Sequence, residues 1–80
     1  MNPTVITVKP KNDYKLAITF DNGEQKIFDV TPFLDKGIFT ELKSADYFRK
    51  VKVAFGAIQW PNEQDFSKDT LYQLGVSSCD

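Results

Sequence analysis

From Tyr14 to Phe20 the chain alternates: Tyr14, Leu16, Ile18 and Phe20 fall on one side, and Lys15, Ala17 and Thr19 on the other. That period of two is the pattern of a half-buried strand. Asp21-Asn22-Gly23 follows, and Asn-Gly tolerates the positive φ angles of a type I′ hairpin turn. Glu24 to Val30 returns as a strand with Phe28 and Val30 on its apolar face. Upstream, Thr4 to Val8 is rich in β-branched residues and reads as a strand at the sheet edge.

Beyond Pro32 and Gly37 the period changes. Ile38, Leu42, Ala45 and Phe48 recur at helical intervals, with Ser44 and Asp46 placed to split the helix into two short pieces. Val51, Val53 and Phe55 then alternate as a fourth strand. Gly56 turns the chain, and Ile58 and Trp60 alternate as a fifth. Pro61 lacks an N–H, so ladder pairing is expected to stop there. Ser67 is a good N-cap for a last helix, Asp69 favours its dipole, Leu71 and Leu74 pack, and Gly75 suits the C-terminal position. Residues 76–80 read as a frayed tail. The expected fold is α+β: one domain over residues 1–80, a mainly antiparallel sheet of about five strands, meander plus hairpin, with short helices on one face.

At 80 residues the chain buries only about 60–65% of its unfolded surface, so stability should be modest. Seven Phe, three Tyr and one Trp supply one core and leave little room for an internal cavity. Net charge is −1, and no basic run has the density of a nucleic-acid footprint. Arg49, Lys50 and Lys52 form a cluster that reads either as a solvated face or as a phosphate contact. No run reaches the about 18 apolar residues that span a bilayer, and no signal peptide is evident. With Cys79 the single cysteine, a reducing, cytoplasmic setting is expected.

The chemical inventory argues against an enzyme. The chain has no His, which removes the commonest general base and metal ligand, and Cys79 has no evident activating partner. No catalytic residue, metal site or cofactor is expected. Carboxylates remain: Asp65 and Asp69, four residues apart, and Asp29 before Thr31-Pro32. They read as turn and cap residues or, alternatively, as part of a metal-dependent ligand-binding domain. Trp60-Pro61-Asn62 also has two readings. Trp60 closes the core while Asn62 satisfies the corner backbone, or Trp60 anchors an interface beside a rigid proline.

The combination Val8-Lys9-Pro10, Asp13-Tyr14-x-Leu16, Asn22-Gly23-Glu24, Phe28-Asp29-Val30, Trp60-Pro61-Asn62-x-x-Asp65 and Asp69-x-Leu71-Tyr72 resembles a bacterial family, domain of unknown function 2442. Its members frequently carry Gly in a turn after Trp-Pro-Asn, where this chain has Glu63, and Pro or Ala at the position of Lys68. The resemblance implies a small α+β domain. Some relatives carry a helix-turn-helix, for which these 80 residues leave no room. Others are encoded beside a small protein in a toxin–antitoxin-like arrangement. The leading expectation is therefore a non-enzymatic module binding a small protein partner through Trp60, Pro61, Asn62 and Asp65, with self-association through the Thr4–Val8 edge as a further route. A nucleic-acid accessory role through Arg49, Lys50 and Lys52 is the alternative.

Overall fold

The computed structural model describes residues 2–77, apart from the side chain of Ile38; Cys79 and the rest of 78–80 lie outside the described residues. Among the described residues seven strands form two antiparallel sheets. The first has the order β1-β2-β3-β7, from Val5–Lys11, Lys15–Phe20, Gln25–Asp29 and Val76–Ser77. The second has the order β4-β5-β6, from Lys52–Ala54, Ala57–Gln59 and Asp65–Phe66. The expected α+β class holds, but the described residues form seven strands divided between two sheets. Two short strands carry the difference. Asp65–Phe66 pairs with β5, and Val76–Ser77, placed in the tail by the sequence reading, pairs with Ile27 and Lys26.

The alternation in β2 is realised as read: Leu16, Ile18 and Phe20 are buried. Across the ladder Leu16 faces Phe28, and Phe28 meets Phe66 of the second sheet at 4.9 Å between ring centres. The two sheets thus pack through aromatic rings, and Trp60, 6.0 Å from Phe66 within the second sheet's hairpin, extends the layer. Such rings bury large areas and favour edge contacts, which suits a core this small.

The segment after Gly37 is a 3₁₀ helix, Gly37–Lys43, followed by α1, Ala45–Phe48. The break falls at Ser44, whose Oγ accepts from the Tyr47 N–H at 3.5 Å. Leu42 and Phe48 are buried, whereas Ala45 is exposed, because the break rotates it off the apolar face. Helix α2, Lys68–Leu74, begins at Ser67, whose Oγ accepts from the Thr70 N–H at 3.2 Å. It covers the core face of the first sheet: Leu71 is buried and Tyr72 packs edge-on to Phe20 at 5.3 Å. Lys26 secures its far end, donating to the Tyr72 carbonyl at 2.7 Å with its ammonium 3.9 Å from the centre of the Tyr72 ring.

Two turns differ from the sequence expectation. In the β2–β3 loop only Gly23 has positive φ, so it is not the type I′ turn that Asn22-Gly23 suggests. The Asn22 side chain instead accepts from the Glu24 N–H at 3.0 Å. The two-residue loop with both residues at positive φ lies between β4 and β5, at Phe55 (54°) and Gly56 (75°). Phe55 is therefore a turn residue rather than the end of a strand.

Candidate functional site

The Trp60-Pro61-Asn62 corner is the loop of the β5–β6 hairpin. The Trp60 N–H donates to the Gln64 carbonyl at 2.8 Å, and the Glu63 N–H donates to the Trp60 carbonyl at 3.1 Å. Ladder pairing stops before Pro61, as expected, with Gln59–Asp65 the last pair. Pro61 occupies the first loop position, where a fixed φ and a missing N–H cost nothing.

The loop is fastened from below. The Trp60 indole is fully buried, and its N–H donates to the Phe48 carbonyl at 2.9 Å. The Asn62 N–H donates to the Tyr47 hydroxyl at 2.8 Å, and that hydroxyl donates to Gln64 Oε1 at 2.7 Å. Gln64 is the buried polar side chain of the core, and its amide donates to Glu41 Oε1 at 2.9 Å. The other Glu41 oxygen accepts from Asn62 Nδ2 at 2.8 Å. One carboxylate thus holds two amides, and charge-assisted bonds of this kind are the stronger ones.

This arrangement sorts the residues expected at a partner interface. Trp60 faces the core and presents no surface to a partner, which corrects its reading as an interface anchor. Its flat apolar ring is worth more in the aromatic layer than at the surface. Pro61, Asn62 and Asp65 are exposed, with the Asn62 side chain engaged by Glu41. Glu41, Tyr47 and Gln64 complete the corner without having been legible beforehand, because polar residues 17 to 23 positions apart carry no shared local pattern.

The remaining candidates are dispersed. Asp69 accepts from the Asn2 amide at 2.9 Å, and Asp29 accepts from the Thr31 N–H at 2.9 Å. The Thr31 hydroxyl and then its backbone N–H hold the Asp29 carboxyl below the usual carboxylate range, with Lys15 adding to the effect. Among the described residues no three His, Cys, Asp or Glu side chains are grouped for a metal ion. Arg49, Lys50 and Lys52 are exposed, and Arg49 lines a cleft whose lining does not include Lys50 or Lys52. No helix among the described residues is long and apolar enough to cross a membrane.

Strand β1 does form a sheet edge, but a guarded one. Ile6 is an extra residue opposite the β2 ladder, between the pairs Val5–Phe20 and Thr7–Thr19. The Phe20 N–H bonds toward β3, so by alternation Leu16 does too. Pro10, opposite Leu16, then turns its nitrogen outward, where no donor is lost. A bulge, a proline and the exposed Lys9 and Lys11 are features that discourage edge pairing.

The surface the sequence did not single out lies at the opposite edge. A groove of about 540 Å³ runs between β3, β7 and the Pro32-Phe33 turn. Phe28 and Phe33, stacked 5.8 Å apart, form its floor, and Leu74 and Val76 form its wall. Leu74 is 57% exposed and Val76 68%. Lys15 and Asp29 stand at its polar side.

Fold and corner together define a two-sheet α+β domain whose aromatic core is closed by a Trp-Pro-Asn hairpin. The chain belongs to the DUF2442 family, whose model, described as a protein of unknown function, matches residues 5–77. No curated protein and no solved structure matches the chain.

Proposed function

We propose that this protein is a non-enzymatic interaction module. It binds a small protein partner in the manner of the neutralising member of a toxin–antitoxin-like pair. The observation that carries the reading is the groove beside β7. Two aliphatic side chains, Leu74 and Val76, stand in solvent over an aromatic floor at the outermost strand of the first sheet. Strand β7 pairs two residues with a β3 that is five residues long. A short, open edge beside an apolar groove fits an extended apolar segment, which would add its backbone to the edge and its side chains to the groove. The absence of His from the sequence and the internal engagement of Asp29 and Asp69 favour binding over chemistry.

The test is comparative capture from nuclease-treated native lysate. Wild type and a Leu74→Asp, Val76→Lys double variant serve as baits after matched thermal melts establish that both are folded. A small stoichiometric protein held by wild type and lost by the variant supports the reading, and titration of its apolar segments then defines the contact. Equal capture by both baits places the partner elsewhere and overturns the groove.

A further inference from the structure

The loop joining β1 to β2 contains two consecutive non-glycine residues in the left-handed region, Asp13 at φ 62° and Tyr14 at φ 59°. L-residues with a Cβ avoid this backbone, and it persists only where the surroundings enforce it. Here they do. The Val30 N–H donates to the Tyr14 carbonyl at 2.9 Å, the Tyr14 hydroxyl donates to the Lys43 carbonyl, and the Tyr14 ring packs edge-on to Phe48 at 5.4 Å. The result is a cleft of about 400 Å³ with Tyr14 and Phe48 as its aromatic side. It shares no lining residue with the groove beside β7.

Two cations from distant parts of the chain meet at this cleft, Lys11 from the end of β1 and Arg49 from the end of α1. Both are exposed, and neither makes an ion pair among the described residues. The Asn12 amide, also on the lining, has no hydrogen-bond partner among them. Asp13 adds one carboxylate to the same lining. Two unneutralised cations and an amide suit the oxygens of a phosphate, and a guanidinium does so in a bidentate way. A carboxylate beside them suits a hydroxyl donor and opposes a bare polyanion. The volume falls within the range of small-molecule pockets. Lys50 and Lys52, the neighbours of Arg49 in sequence, are absent from the lining.

We propose that the Lys11–Arg49 cleft binds a sugar phosphate, with Lys11, Arg49 and Asn12 on the phosphate and Asp13 on a sugar hydroxyl. The same chemistry is offered by a free sugar phosphate and by the 5′-phosphorylated end of a nucleic acid. Amide NMR of the full chain titrated with ribose 5-phosphate, inorganic phosphate and ribose tests the assignment. Saturable shifts confined to residues 11–14 and Arg49, largest for ribose 5-phosphate, are expected. Lys11→Gln and Arg49→Gln should each weaken binding about ten-fold, as expected when a charge-assisted bond is lost, and Lys50→Gln should leave it unchanged. Asp13→Asn should reduce the preference for ribose 5-phosphate over phosphate. A 5′-phosphorylated oligonucleotide binding more tightly than ribose 5-phosphate points to the strand end, and equal binding points to the free compound. Shifts that do not saturate, or that respond equally to Lys50→Gln, would overturn the site and leave only a diffuse electrostatic attraction.

Discussion

Glu63 occupies, in the β5–β6 hairpin, the position that Gly23 occupies in the β2–β3 hairpin. Phe20 and Trp60 each donate through their N–H to the carbonyl four residues on, and each accepts from the N–H three residues on. The donors to those carbonyls, Gly23 and Glu63, have φ of 88° and 75°. Asn stands just before both. One loop geometry is thus built twice, once with the residue that adopts it freely and once with a residue that resists it.

Glu63→Gly should therefore stabilise the protein. The left-handed backbone costs a residue with a Cβ about 1–2 kcal/mol, and the greater freedom of unfolded glycine offsets part of the gain. A net increase of about 0.5–1 kcal/mol, or several degrees in Tm, is expected in a calorimetric melt. A fall in Tm would show that the Glu63 side chain contributes something its geometry does not reveal.

Phe55 presents the same penalty in the β4–β5 turn, at φ 54° and fully exposed. Phe55→Asn keeps the turn, gives it a residue that tolerates positive φ, and sacrifices no packing. Denaturant unfolding should show a higher midpoint and an unchanged m-value.

Gly75 makes the opposite case. Its φ of −69° and ψ of 147° suit any residue, so backbone conformation after α2 is not what requires glycine. The requirement is space. A Cβ there would lie 2.6 Å from the Leu71 carbonyl oxygen and 3.1 Å from Lys26 Cβ. Gly75→Ala should destabilise by about 1–3 kcal/mol through crowding, although chain entropy alone predicts a gain. The direction of the Tm change decides between them.

Trp60→Phe retains most of the buried ring but removes the donor to the Phe48 carbonyl, leaving an unpaired acceptor beneath α1. A loss of about 1–3 kcal/mol follows for the polar group, with a further cost for the vacated volume. Urea unfolding monitored by circular dichroism gives the value. Trp60→Ala, at about 3–5 kcal/mol, should leave so small a domain largely unfolded.

Asp29 sets an acid dependence. Its folded pKa is lowered from 3.8, first by the Thr31 hydroxyl. Folding therefore favours the carboxylate. The contribution is present above the unfolded pKa and is lost as pH falls through the lowered folded value. Carbon NMR of the Asp29 carboxyl should give a midpoint below 3.8. The stability gap between wild type and Asp29→Asn should be wider at neutral pH than at pH values below the folded midpoint.

What the sequence by itself determined was local. The Leu16, Ile18, Phe20 alternation can bury one face only as a strand, and Ser67 before Lys68 starts a helix because its hydroxyl meets an N–H three residues on. The α+β class follows from such signals, each read within a few residues. The Trp60 corner was visible as a feature, but its direction was not. Whether the indole enters the core or faces a partner depends on Phe48 and Phe66 arriving from other elements. The tertiary structure alone decided that Glu41 holds Asn62 and Gln64, that Leu74 and Val76 wall an apolar groove, and that Lys11 and Arg49 line one cleft. Each of these joins residues whose separation along the chain has no fixed period. Only the packing of two sheets around one aromatic layer brings them together.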